Sequence, residues 1–394
     1  ALAQARAQAA RRPSLGPTER ARLAPLAARG LVGAVELRRG GLLSGMVLMT
    51  EVRASPSVVA SVVGDPAAYP RFMPAVSEVT VTERSAASTA FRWRWRTAVF
   101  SFAGRAFLTS YPPPADRPEQ GYRIELRRTS GDLGEGREVF RILPHGPGRS
   151  LLVHASRMDI RDANYLTRRV VGRNRSINRS VALAIATGTV LRTRLEAERR
   201  AGRSPRPAPR RDASSLRAPD VDPRPLLGLL RRSDVLFIEV EGATFVQTAI
   251  LSRIPKDEAR VRTAMLDPEA FTAGLSEATR VVATRRSPDG TAFDWVFDVP
   301  LIGSRGSMLL REEGSTIALD GTRGALDGGR WRFRHRGLPD GSTAVLGWAA
   351  FDVADGSFLL RAIVNADPAF RPGLSSAMLV MMSRALRIRA RSVR

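Results

Sequence analysis

Between residues 89 and 95 the chain reads TAFRWRW, so that Phe91, Trp93 and Trp95 alternate with Arg92 and Arg94. An extended strand imposes a period of two, which places the three rings on one face and the guanidinium groups on the other. Comparable alternation runs through VSEVTVTER, FSFAGRAFLTSY, YRIELRR, GREVFRIL and SLLVHASRMDI, with turn-forming residues between them. These segments are predicted to be consecutive strands. VLMTEV predicts an earlier strand, and SPSVVASVVGDPAAYPRFMP a short helix that ends at Pro70 in an aromatic corner. The stretch 164–198 has helical spacing. Strands that follow one another through short connections favour an antiparallel sheet, so the fold class is α+β.

The pattern is written twice. TAFRWRW returns as TAFDWVF at 291–297, an offset of 202 that runs without a gap from Ala54 to Thr109. On this offset Asp65 and Pro66 fall on Asp267 and Pro268, and Tyr69 on Phe271. Beyond a longer turn around YPPPADRPEQ the offset becomes 193, and Gly131, Leu133, Arg137, Phe140 and Arg141 fall on Gly324, Leu326, Arg330, Phe333 and Arg334. Self-similarity of this kind is the mark of a duplicated unit. The expected organisation is an N-terminal extension over 1–16, a first unit over 17–197, a Pro/Arg-rich linker over 198–221 and a second unit over 222–394. Each unit is expected to open with a short helix and a strand, Gly30 closing the first helix in a positive-φ conformation.

Composition narrows the chemistry. With no cysteine, disulfides and thiolate metal sites are excluded, and three histidines (His145, His154, His335) leave little for a histidine metal site or a catalytic dyad. No cofactor is expected. The formal charge of +24 invites nucleic acid or acidic lipid, but Lys256 is the only lysine. Charge carried almost wholly by arginine fits a coding bias as well as a selected surface, so no specific nucleic acid is expected, and peripheral contact with an anionic membrane surface stays open. No apolar run reaches the ~20 residues needed to span a bilayer. The opening ALAQARAQAARRP has the small residues found around secretory cleavage sites, which suggests the periplasm or cell envelope after leader removal and the cytoplasm otherwise.

Taken together, SPSVVASVVGDPAAYPRFMPAVSEVTVTERS, the tryptophan-rich strand, GEGREVFRIL with its counterpart GGRWRFRH, and the long final helix resemble the START-like (SRPBCC, helix-grip) superfamily, in its coenzyme Q-binding and polyketide cyclase/dehydrase-type branch, in two tandem copies. The resemblance covers both units. It implies a curved antiparallel sheet wrapped around a C-terminal helix, with an elongated cavity between them. It further implies a hydrophobic small-molecule ligand, such as a lipid, an isoprenoid quinone or a polyketide. In the second unit YPRFMP is replaced by FTAGLS, which departs from the pattern at the cavity mouth.

The candidate ligand-binding residues are Tyr69, Phe72, Met73, Phe91, Trp93 and Trp95 in the first unit, and Phe271, Phe293, Trp295 and Phe297 in the second. The ring-bearing face is retained between the copies, whereas Arg92 and Arg96 become Asp294 and Asp298; a retained apolar face belongs inside. Ordinary core packing accounts for any one of these rings equally well. The charge swap also raises a pairing of Arg92 and Arg96 with Asp298 and Asp294 across a pseudo-twofold axis, against two separately solvated faces. Arg137 and Arg141 lie opposite Glu138 and Phe140 and are expected to point outward. His154 meets Gly347 in the repeat, so no imidazole is duplicated. Asp159, Asp162, Asp352 and Asp355 are expected to cap helices. The expected function is non-catalytic binding or transfer of a hydrophobic molecule, no catalytic residue being assigned. A polyketide cyclase or aromatase, which requires convergent titratable groups in one cavity, and a basic scaffold for acidic lipid or nucleic acid are the alternatives.

Overall fold

The computed structural model describes residues 14–37, 43–96, 101–133, 135–157, 175–203, 216–272, 279–298 and 303–392. The first repeat comprises α1 (Pro17–Ala27), β1 (Gly30–Leu37), β2 (Leu43–Val52), α2 (Pro56–Val63), α3 (Tyr69–Phe72), β3 (Val76–Arg84), β4 (Ser88–Arg96), β5 (Ser101–Tyr111), β6 (Tyr122–Gly131), β7 (Gly136–Pro144), β8 (Ser150–Arg157) and α4 (Arg175–Arg200). The second comprises α5 (Leu227–Leu230), β9 (Ser233–Glu241), β10 (Thr244–Ile254), α6 (Glu258–Met265), α7 (Glu269–Thr272), β11 (Thr279–Ser287), β12 (Gly290–Phe297), β13 (Ser304–Glu313), β14 (Thr316–Gly324), β15 (Arg330–Gly337), β16 (Thr343–Ala350), α8 (Phe358–Ala366) and α9 (Phe370–Ser392). Helix starts follow local chemistry. Ser55 accepts the Val58 N–H, with Pro56 in the first turn of α2, and Asp257 accepts the Arg260 N–H at 2.9 Å to open α6. Asp352 likewise accepts the Ala354 N–H at 2.9 Å. Asp159, Asp162 and the N-terminal extension lie outside the described residues.

Among the described residues sixteen strands form one antiparallel sheet, not two separate ones. Each repeat contributes eight in the same order, and the halves join edge to edge where β1 pairs with β9, from Gly30 opposite Glu239 to Glu36 opposite Ser233. Gly30 therefore begins a strand, and it is absent from the positive-φ glycines. Its role is close approach: a Cβ there would sit 2.0 Å from the Ile238 carbonyl oxygen, inside the β9 backbone. The expected helix ending at Pro70 stops earlier, at Val63, and Pro70 lies in the separate short turn of α3.

Near the seam the sheet is covered on both faces. On one side α4 and α9 pack over the strands within one hydrophobic core that runs through both repeats. On the other, Leu23 and Leu26 of α1 with Leu229 and Leu230 of α5 cover Val32, Val47, Phe237 and Ala249. Burial on both faces explains why β9 reads as the nearly unbroken apolar run VLFIEV rather than as an alternation. Part of the expected linker, Leu216, Ala218 and Val221, also packs into this second layer.

The two long helices touch through small residues. A Cβ on Gly373 of α9 would lie 2.5 Å from the Cα of Ala184 in α4, backbone that cannot swing aside. Gly373→Ala should therefore push the helices apart and lower stability by about 1–3 kcal/mol, as overpacking does. Urea unfolding at neutral pH reads this directly.

Among the described residues the swapped charges do not pair across the molecule. β4 and β12 are each second from opposite ends of the sheet. Asp294 instead accepts the Ser307 hydroxyl at 2.6 Å and has Arg285 and Arg323 nearby. Of the two readings of the charge swap, the pseudo-twofold pairing of Arg92 and Arg96 with Asp298 and Asp294 is ruled out by topology, because the axis passes between β1 and β9.

Candidate functional site

In the first repeat the indole-bearing strand faces α4 across an open space. The cavity volume is about 140 Å³. Alternation in β4 aims Phe91, Trp93 and Trp95 into it, and the turn after α2 brings Tyr69 and Met73 to the same wall. Rings meet edge to face there, Tyr69 with Phe91 at 6.4 Å between centroids. Five of the six first-repeat candidates thus converge on one space. Phe72 stands behind them, packed on Tyr69 at 5.9 Å and partly buried against the core.

Three polar side chains on the adjoining strands form a buried chain. Arg128 of β6 donates from Nη1 to Glu138 Oε1 at 2.7 Å, and His154 of β8 lies with Nε2 2.9 Å from Glu138 Oε2. Arg128 is 4% exposed and His154 wholly buried. Burial alone would push the Glu138 carboxyl up. The hydrogen bond from His154 and the charge of Arg128 outweigh it and hold the carboxyl below the usual carboxylate range. An ionised Glu138 makes His154 Nε2 the donor, and His154 Nδ1 has no partner among the described residues. The imidazole also stacks on Phe140 with centroids 4.5 Å apart. Tyr69 donates to the Val63 carbonyl at 2.6 Å; its phenol is driven up by burial and by the charges of Glu138 and Asp65, and so stays protonated.

Arg128 and Glu138 line the cavity, and His154 supports them from behind. The sequence offers only His154 and scattered carboxylates, which argues against convergent titratable groups, and strand alternation by itself marks Glu138 alone of the three as inward-facing. Glu138 was already on the inward face, opposite Arg137, which turns away to Glu125. The register puts Leu126 beside Glu138 and Phe140 beside His154, which brings the three together across β6, β7 and β8.

The second repeat fills the equivalent positions differently. Its register pairs Leu319 with Trp331 and Phe333 with Gly347, so that Gly321, Trp331 and Gly347 stand where the first repeat has Arg128, Glu138 and His154. Trp331 is wholly buried and packs on Phe351 at 4.8 Å, while Phe333 lies over Gly347 and against Phe271 at 5.0 Å. A Cβ on Gly347 would be 2.9 Å from the Phe333 ring. Phe271, Phe293 and Trp295 are buried in this packed core and Phe297 partly so. The four second-repeat candidates are therefore brought together as the counterparts of the first set, among large side chains.

One end of the first cavity belongs to the second repeat. Asp367 and Phe370, at the start of α9, line it together with Gly188, Thr189 and Arg192 of α4. Phe370 meets Trp95 edge to face at 5.4 Å, and Arg192 donates to Asp367 Oδ1 at 2.5 Å. Neither Arg192 nor Asp367 was a candidate from sequence, since their pairing depends on how α4 meets α9.

Residues 52–198, which supply all of the cavity lining named above except Asp367 and Phe370, match the family described as "Polyketide cyclase / dehydrase and lipid transport". The START-like resemblance stands. An aromatase/cyclase from Streptomyces is 17% identical, over 39% of this chain and 93% of that one, with a TM-score of 0.33. A STAR-related lipid transfer protein from Xanthomonas axonopodis is 12% identical, over 43% of this chain and 95% of that one, with a TM-score of 0.35. The di-domain ARO/CYC StfQ of the steffimycin biosynthetic pathway is 12% identical, over 84% of this chain and 97% of that one, with a TM-score of 0.27. No curated protein matches the sequence.

Proposed function

We propose that the protein binds one hydrophobic small molecule per chain, lipid-, quinone- or polyketide-like, in the cavity of the first repeat. In this reading both repeats are helix-grip units, and the second is a filled companion that supports and closes the first. The observation that carries it is the contrast at one structural position. Glu138 borders open space between aromatic rings and α4, whereas Trp331 occupies the matching place in the second repeat. Removing apolar ligand surface from water against Phe91, Trp93 and Trp95 supplies the driving force, at ~25 cal/mol per Å². The polar chain on the opposite wall supplies orientation. The family match over residues 52–198 supports the same reading.

A second reading, cyclisation or aromatisation of a polyketide, is favoured by one feature: a carboxylate fixed between a guanidinium and an imidazole at the cavity wall. In that case Arg128 would polarise a carbonyl while the ligand chain lies across the rings. Both Glu138 oxygens are already engaged, which favours binding over proton abstraction by this carboxylate.

Native mass spectrometry of the purified chain, followed by organic extraction, tests the proposal. One apolar molecule per chain is the expected result, with quenching of tryptophan emission on reloading that is lost in a Trp93→Ala variant. Two bound molecules per chain would overturn the assignment of the second repeat, and no uptake of any apolar probe would overturn the cavity reading itself.

A further inference from the structure

Among the described residues, the charged groups that line the first cavity come in two pairs. They are Arg128 with Glu138, and Arg192 with Asp367. Among the described residues the wall therefore carries two guanidinium groups and two carboxylates, whose charges cancel, in a chain whose formal charge is +24. We propose that the cavity selects an uncharged molecule with carbonyl or hydroxyl oxygens over a carboxylate or phosphate of the same shape, and that Arg192, fixed by Asp367 of the second repeat, is one of the donors that receive those oxygens. This names the ligand class for the reading above and rests on it.

Three observations converge on it. A guanidinium has five N–H donors, and a carboxylate partner neutralises its charge without using them all. The Nε of Arg192 is buried and has no partner among the described residues, on a side chain that lines the cavity. A neutral acceptor oxygen that reaches the cavity-lining guanidinium of Arg192 is received at no cost in charge.

An anion meets a different balance. It would enter a space where Glu138 and Asp367 already hold the cations, and would add a negative charge beside two carboxylates. Asp367 is itself strongly held. Its side chain is 4% exposed, and Oδ1 also accepts the Ala369 N–H at 2.9 Å at the start of α9, so the carboxylate cannot swing away to make room. Because Asp367 and Phe370 come from the second repeat and Arg192 from the first, the selecting end of the cavity exists only in the duplicated chain.

Calorimetric titration of the full chain with acetonaphthone, naphthoate and methylnaphthalene, all substituted at the same ring position, tests this. The three probes share a ring and differ in carrying a neutral acceptor, an anion or neither. Acetonaphthone is expected to bind about ten-fold more tightly than naphthoate and about five-fold more tightly than methylnaphthalene, the scale of one well-made buried hydrogen bond. Asp367→Asn, which keeps the shape and removes the neutralising charge, should raise naphthoate affinity about ten-fold and leave methylnaphthalene unchanged. Should that variant fail to fold, Arg192→Met serves instead, and is expected to remove most of the advantage of acetonaphthone over methylnaphthalene. Naphthoate binding as tightly as acetonaphthone in the parent protein would overturn this inference and leave hydrophobic binding intact. Binding of none of the three would overturn both.

Discussion

Glu138→Ala is expected to lower the stability of the protein by about 3–5 kcal/mol at neutral pH, because it leaves the Arg128 guanidinium buried without the carboxylate that faces it. Arg128 is 4% exposed and its Nη1 lies 2.7 Å from Glu138 Oε1, so water does not replace the lost partner. The loss should depend on pH with a definite sign. The folded carboxyl is held below its ordinary value, so the unfolded chain takes up a proton first as pH falls. The stabilising contribution of Glu138 is therefore complete above the ordinary glutamate pKa of about 4.3 and is lost as pH falls through the folded value. Denaturant unfolding of parent and variant should show a gap that narrows with acidification. A gap of under about 1 kcal/mol at neutral pH would mean that the pair is open to solvent.

Trp331→Ala, at the same position of the other repeat, is expected to cost a similar amount, about 3–5 kcal/mol, for an unrelated reason. Here the loss is packing: an indole that is wholly buried against Phe351 leaves a void lined by side chains held from several strands. The Trp331 indole has no titratable partner among the described residues, so this loss should stay constant over the pH range in which that of Glu138→Ala shrinks. Trp331→Phe should cost much less, since the Trp331 Nε1 has no acceptor among the described residues and its removal breaks no hydrogen bond there. The combined variant Arg128→Gly, Glu138→Trp, His154→Gly transfers the arrangement of the second repeat into the first. It is expected to fold and to lose ligand binding, which calorimetry with the naphthalene probes measures.

The fold was legible to the extent that it is local. Alternation marked nearly every strand of the first repeat, and the offsets of 202 and 193 carried that reading to the second. The rings of β4 were aimed correctly because a strand has only two faces, and the retained one is the buried one. Tyr69, Met73, Phe91, Trp93 and Trp95 do share a cavity. Glu138 was placed on the inward face but not given a role, since the alternation of β7 alone does not reveal that Arg128 and His154 stand on the strands to either side.

Gly30 shows where local reasoning fails. A glycine after a helical stretch reads as a helix cap, and what requires it instead is the backbone of β9, more than two hundred residues away. The charge swap left two readings open that only topology separates: Asp294 is a counterpart of Arg92 in the alignment of the repeats, but the axis that relates them holds them at opposite ends of the sheet.

The sequence by itself determined the period of each strand, the duplication, the polarity of each face and the absence of thiol chemistry, all properties carried by near neighbours or by composition. The tertiary structure decided that the two copies share one sheet, that one hollow is open where its twin holds an indole, and that Asp367 of one repeat neutralises Arg192 of the other. Those outcomes turn on contacts between residues far apart in the chain. Packing and charge compensation act through space, and a one-dimensional pattern does not record which distant side chains will meet.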